Sequence, residues 1–325
     1  MNRIRWLILI LGPVPIFGTS WTVSAWLRSD PAATPSLNRV ESEPPTAETA
    51  GPRPFALLAD DADPALARAC SRSAERLEKE LGPECRILAR APFVLGGDLG
   101  LEELAAWHEK TIAPAVRAME NCYFQARPNQ PITVLLFRTE HGYDHYSQKL
   151  FGEADISPYG YYKPNLRTLL VNVATGDGSL LHELTHALVD FDFPNVPDWL
   201  NEGLASLHEQ SRFRDGPSGP WIEGLVNWRL RGLQVVIGRG RLRSLASLVE
   251  ERNFRGPLEG TNYAQARYFC LFLQQKGLLE QFYRAFHRNH PRDPRGLATL
   301  AETFPHWTWQ KLDQDFERWA IELAE

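Results

Sequence analysis

Two histidines four residues apart, with a glutamate directly after the first, constrain this chain more than any other feature: His182-Glu183-Leu184-Thr185-His186. On a helix, side chains at i and i+4 share one face, so both imidazoles can reach a single ion. Glu183 then sits one position round, close enough to act on a water molecule at the ion without binding the ion itself. The flanks favour a helix. Asp177 or Ser179 can cap its start, and Leu180, Leu184, Leu188 and Phe191 form an apolar stripe. Pro194 and Pro197 end the run.

A metal that performs hydrolysis needs three protein ligands and one open position. Downstream lies Pro197-Asp198-Trp199-Leu200-Asn201-Glu202-Gly203-Leu204-Ala205, with fifteen residues between His186 and Glu202. That length accommodates a helix end, a turn through Asn195-Val196-Pro197 and a returning helix that carries Glu202 towards the histidines. Gly203 and Ala205 are small enough to let two helices approach closely. His182, His186 and Glu202 are therefore the expected ligands of one zinc ion per chain. Glu183 is the expected catalytic base.

H-E-L-T-H followed by W-L-N-E-G-L-A resembles the gluzincin metallopeptidases, the group that includes the thermolysin-like enzymes and the aminopeptidases. It is most similar to bacterial proteins with a peptidase-MA-like domain, and the resemblance covers most of residues 85–325. It implies a zincin-like α+β fold and zinc-dependent hydrolysis of peptide bonds in a peptide or protein substrate, in endopeptidase mode. It also implies that the strand before the zinc helix, Thr168–Val173, lies at a sheet edge and pairs with substrate backbone. Leu170, Val171 and Asn172 are then substrate-binding residues.

Related families add a tyrosine or histidine from a later helix to stabilise the oxyanion. Tyr263 fits that role if Asn262 caps the helix, which leaves Tyr263 exposed in its first turn and Tyr268 in the core. His208, His287, His290 and His306 are weaker candidates. The tyrosines of 158–162 either line the cleft or pack as a surface loop. The thermolysin-like enzymes place an aspartate four residues after the ligand glutamate; here that position is Ser206, so support for the histidines must come from elsewhere, with Asp190 and Asp198 as candidates. Ala118-Met119-Glu120-Asn121 matches part of an exopeptidase motif but ends a long helix far upstream, so exopeptidase activity is not expected. The alternative is a catalytically silent zinc-binding scaffold or binding protein, anchored to a membrane, on the same fold. The intact Glu183, which a structural site does not need, argues against it.

The rest of the chain sets the context. Arg3 and Arg5 precede an uncharged run from Trp6 to Leu27, so residues 1–28 read as a signal peptide or an uncleaved membrane anchor. Either version places the chain beyond Arg28 outside the cytoplasm, membrane-anchored or released. Residues 29–54 are rich in proline, alanine and acidic side chains and read as a disordered spacer. A net charge of -5 gives no basic footprint, so nucleic acid is not an expected partner. Cys70 and Cys85 either form a local disulfide or stay as buried thiols.

The expected catalytic domain is 55–325, with an α/β part at 55–177 and a helical part at 178–325. In the first part, helices are predicted at 62–81 and 101–124 and strands at 85–95, 132–137 and 168–173, with a long loop over 142–167. In the second, helices are predicted at 179–190, 198–210, 220–236, 243–250, 262–276, 278–288 and 308–323. Strands first and helices later make an α+β arrangement.

Overall fold

A computed structural model describes residues 63–154 and 156–324. The N-terminal apolar run, the spacer at 29–54 and the first residues of the expected domain lie outside the described residues. Among the described residues no helix is long and apolar enough to cross a membrane.

The fold is α+β, with a small mixed sheet in the first part and mostly helices in the second. Helix α1 (Pro64–Leu81) starts at Asp63, whose carboxylate accepts from the Ala65 amide at 2.8 Å. Strands β1 (Arg86–Arg90) and β2 (Phe93–Gly97) form an antiparallel pair after it. The single strand predicted over 85–95 is thus two strands, because the chain turns at Ala91-Pro92, where proline has no amide to donate. Next come α2 (Leu101–Trp107), a π-helical turn at His108–Ile112, and α3 (Ala113–Cys122), together filling the long helix predicted there.

Strand β3 (Ile132–Phe137) runs parallel to β2. The predicted loop over 142–167 contains two regular elements. Helix α4 (Glu140–Phe151) is capped by the Thr139 hydroxyl, buries Tyr143, Tyr146 and Ser147, and ends at Gly152 in a left-handed conformation (φ 68°). Strand β4 (Gly160–Lys163) pairs antiparallel with β5 (Thr168–Asn172), which pairs parallel with β3 on its other side. The sheet order is β1-β2-β3-β5-β4.

Both sheet faces are covered. Phe93, Leu95, Val134, Leu136, Leu169 and Val171 join one apolar cluster, and Val94, Leu135, Phe137 and Leu170 join another with Cys70, Leu77 and Leu81 of α1. Burial on two sides explains why β3 and β5 read as unbroken apolar runs rather than alternating ones. All four cysteines are free and buried, so Cys70 and Cys85 are core thiols here rather than a disulfide.

After β5, helix α5 (Asp177–Asp192) carries the histidine motif, and α6 (Asp198–His208) returns beside it. The residue before α5 is Gly176 (φ 97°), so Asp177 is the first helical residue and neither it nor Ser179 caps the end. A hairpin comes next, β6 (Ser211–Gly216) and β7 (Gly219–Gly224), in place of the start of the helix predicted from 220. Pro217 and Ser218 form its turn, Gly219 takes a positive φ of 110°, and Glu223 accepts from Arg212 and Arg214 across the strands at 2.5 and 2.9 Å. The remaining helices are α7 (Arg229–Gly238), α8 (Leu245–Val249), α9 (Glu259–Gln275), α10 (Leu279–Asn289), α11 (Leu297–Thr303) and α12 (Trp309–Glu322). Helix α11 has no counterpart among the predicted elements.

Two details position the site. Helix α6 packs on α9 through Gly203, where an added Cβ would stand 2.9 Å from the Ala266 carbonyl oxygen and from Cys270 Sγ. Helix α5 packs on the end of α6 through Gly178, where a Cβ would stand 2.4 Å from the Glu209 carbonyl oxygen. The first close approach needs a small residue, as the sequence implies for Gly203, and the second fixes Glu209 against the helix that carries His182 and His186.

Candidate metal centre

His182 and His186 lie one turn apart on α5, and Glu202 projects from α6. Their ligand atoms form a tight triangle. The two Nε2 atoms are 3.0 Å apart, and Glu202 Oε2 is 3.6 Å from His182 Nε2 and 3.5 Å from His186 Nε2. Two ligands bound at ~2.0–2.2 Å to one tetrahedral ion stand about 3.3–3.6 Å apart. Both separations to Glu202 fall in that range and the two Nε2 atoms stand slightly closer than it, so the three residues could hold a metal ion, and a fourth tetrahedral position would remain for a water molecule or substrate.

The hydrogen bonds behind the triangle fix its chemistry. His182 Nδ1 donates to Glu209 Oε1 at 2.9 Å, and His186 Nδ1 donates to Asn201 Oδ1 at 2.9 Å. In the neutral imidazoles both Nε2 atoms then turn lone pairs towards the triangle. Glu202 is only 1% exposed, and its Oε2 is buried without a hydrogen-bond partner. Three lone pairs converging at this range repel one another unless a cation, a proton or a metal ion, stands among them.

The support for the histidines is not the one expected. Asp190 accepts from the Tyr162 hydroxyl at 3.0 Å, and Asp198 is the first residue of α6. Neither makes a hydrogen bond to His182 or His186. Asn201 and Glu209 take that role. Glu209 is itself held by Arg229, with Nη1 on Oε2 and Nη2 on Oε1 at 3.1 Å. Burial opposes its charge, but His182 and Arg229 hold its pKa down to about 2. Ser206, at the position where the resemblance places an aspartate, is buried with its hydroxyl unpartnered.

Electrostatics follow the same pattern at the ligands. Burial would raise the Glu202 pKa, but His186, His182 and Arg255 hold it well below the usual carboxylate range. Burial works against a charged His182, but the Glu202 and Glu209 carboxylates outweigh it and push its pKa up to about 10. A proton and a metal ion therefore compete for the same lone pairs. Below that raised pKa the metal must displace a proton, so affinity falls as pH falls. We expect uptake to release about one proton near pH 7, with affinity changing about tenfold per pH unit. Calorimetry of metal binding in buffers of different ionisation enthalpy measures this, and identical heats in all buffers would contradict it.

Glu183 is 8% exposed and interacts electrostatically with His182, His186 and Glu202. Burial raises its pKa above the ordinary carboxylate value, with the two imidazoles acting in the opposite sense. The start of β4 passes directly beside it: a Cβ on Gly160 would lie 3.3 Å from Glu183 Cγ.

Tyr263 also belongs to the centre, though not for the reason the sequence suggests. Helix α9 begins at Glu259, so Asn262 is inside it, 1% exposed, and donates to the Phe254 carbonyl at 2.7 Å instead of capping the helix. Tyr263 is half-buried, and its hydroxyl interacts with Glu202 and Arg255. Arg255 Nη2 in turn contacts Glu202 Oε1. Tyr268 is fully buried, as expected, and donates to the Asn227 carbonyl at 2.9 Å.

Leu170, Val171 and Asn172 do not lie on an edge strand, contrary to the expectation. They are buried in β5, which is interior to the sheet, with β3 on one side and β4 on the other. Their backbone has no free edge, and Asn172 uses its side chain to hold the Pro158 carbonyl and the Ala174 amide. The edge strand on this side of the sheet is β4, and β1 is the edge on the other.

The other histidines stay apart from the triangle. His208 is buried, meets the Thr185 hydroxyl at 3.0 Å through Nδ1, and is held down to a pKa of about 3 by burial. His287 contacts the Asp192 carbonyl at 2.8 Å, His290 packs on the Phe193 ring, and His306 is exposed.

Comparison with known proteins adds no relative to this geometry: no family model matches the chain, and no curated protein matches it.

Proposed function

We propose that the protein is a zinc-dependent peptidase of the gluzincin type on a zincin-like fold, hydrolysing internal bonds of an extended peptide or protein outside the cytoplasmic membrane. One observation carries the reading: three lone-pair donors converge at 3.0–3.6 Å with the Glu183 carboxylate beside them. Two imidazoles and one carboxylate are the ligand set that suits catalytic zinc. Bound there, zinc supplies Lewis acidity, polarising a carbonyl and acidifying a water molecule.

The chain's own residues do the rest. Glu183 accepts a proton from the attacking water and returns it to the leaving nitrogen. The Tyr263 hydroxyl donates to the developing oxyanion, a role supported by its interaction with Glu202 and Arg255. Substrate backbone adds to β4 at the open side of the sheet. The Asn172 amide donates to the Tyr159 carbonyl, and the antiparallel alternation then turns the amides and carbonyls of Gly160 and Tyr162 outward.

Hydrolysis of a diverse peptide mixture, abolished by a chelator and restored by zinc, tests the reading. A zinc-loaded protein that leaves every peptide intact contradicts it. Gly160 gives a sharper test, because a Cβ there would stand 2.9 Å from the Leu170 carbonyl oxygen and press on Glu183. Gly160→Ala is expected to lower kcat/KM about tenfold to a hundredfold, the cost of a small misplacement of a catalytic group, with zinc content unchanged. Full activity in that variant would place the substrate strand elsewhere.

A further inference from the structure

Arg255 contacts Glu202 through Oε1, the carboxylate oxygen that is not part of the ligand triangle. It sits in the segment between α8 and α9, and that segment is built to hold it. On one side Phe254 is 1% exposed, with its ring 5.3 Å from that of Tyr263 and its carbonyl bound by Asn262. The Asn253 amide donates to Glu251 Oε1 at 2.7 Å. On the other side the Gly256 amide donates to the Asn253 carbonyl at 2.9 Å, and a Cβ on Gly256 would fall 2.4 Å from Asn253 Nδ2. Both neighbours of Arg255 are therefore fixed. Yet its side chain remains 42% exposed, while its partner Glu202 is 1% exposed.

A neutral donor would suffice to orient Glu202. A permanently charged guanidinium within reach of solvent does something more. The charges around the centre are also matched in pairs: Glu209 with Arg229, and Glu202 with Arg255. A divalent ion among the ligands is then opposed mainly by Glu183, so the loaded centre has an excess of positive charge and favours an anion.

We propose that Arg255 is a catalytic residue that, with Tyr263, binds an oxyanion beside the metal: the oxygen that becomes negative as a scissile carbonyl is attacked. This role rests on the hydrolytic function proposed for the centre. In that step the water oxygen bonds to the carbonyl carbon, its proton passes to Glu183, and the C=O electron pair moves onto the carbonyl oxygen. Arg255 faces that charge. The pair then re-forms C=O, the C–N bond breaks, and the Glu183 proton goes to nitrogen.

The test uses the full-length protein loaded with cobalt(II), whose visible spectrum reports anion binding, and inorganic phosphate as the tetrahedral probe. Metal affinity is measured in parallel by chelator competition. Arg255→Gln is expected to weaken phosphate about tenfold to a hundredfold, the loss of a charge-assisted hydrogen bond, with metal affinity changed less than about threefold. Arg255→Lys, which keeps the charge and the fold, is expected to fall between wild type and Arg255→Gln. The proposal is overturned if phosphate binds Arg255→Gln as tightly as wild type, or if wild type does not bind it. It is also overturned if both variants lose the metal, since Arg255 would then serve only to hold Glu202. A wild-type protein that takes up no metal at all overturns the hydrolytic function, and this proposal with it.

Discussion

Glu183→Gln is expected to keep one metal per chain and to lose about 10²–10⁴-fold in kcat, the range for removing a general base. The substitution keeps shape and hydrogen-bonding capacity but removes the proton acceptor. Glu183 is buried at 8% exposure and interacts with both imidazoles, and a Cβ on Gly160 would stand 3.3 Å from its Cγ. Its role differs from that of Glu202, which takes part in the ligand triangle. Metal content and kcat must therefore separate in this variant. If Glu183→Gln loses the metal, Glu183 is a ligand; if it keeps full activity, another group is the base.

Metal is expected to stabilise the fold by a large margin. Glu202 is 1% exposed, and its Oε2 has no hydrogen-bond partner and stands 3.6 and 3.5 Å from the Nε2 atoms of His182 and His186. A ligand that binds only the folded state adds ~4.1 kcal/mol at a thousand times its dissociation constant. At about 2–4 °C per kcal/mol for a domain of this size, the melting temperature should rise by roughly 8–16 °C. A His182→Ala/His186→Ala protein should show no such rise under the same conditions. An equal rise in the double variant would mean that the metal stabilises the protein from another site.

The triangle of His182, His186 and Glu202 is legible in the sequence because it rests on local geometry. His182 and His186 need only a helix, and Glu202 needs only a turn of the right length after Pro194. Asn201 and Glu209 are not legible, because their contacts depend on how α6 crosses α5. Glu209 lies two helical turns beyond Glu202, so a search along that face past Ser206 would reach it. Gly178 is the other signal, a glycine in the first turn of a helix that makes sense only once the Glu209 backbone is seen against it.

The sheet is legible in part. The apolar runs of β3 and β5 stand out, but β4 does not, since Gly160-Tyr161-Tyr162-Lys163 is short and sits among turn residues. Without β4, β5 looks like the edge strand, and the expected substrate contacts move one strand inward. The hairpin at 211–224 escapes for a different reason. Its turn residues Gly216, Pro217, Ser218 and Gly219 are present, and Pro220 discourages a helix there, but the apolar residues beyond it still suggest one. Asn262 shows the limit of capping rules: a residue suited to a helix start is instead buried inside α9, where it ties down Phe254.

Metal content is the measurement that bears most directly on the centre. Mass spectrometry of the purified protein after incubation with zinc and removal of excess should give one zinc per chain, lost in His182→Ala/His186→Ala. Absence of zinc from the wild-type protein, or equal zinc in both proteins, would contradict a metal centre at His182, His186 and Glu202.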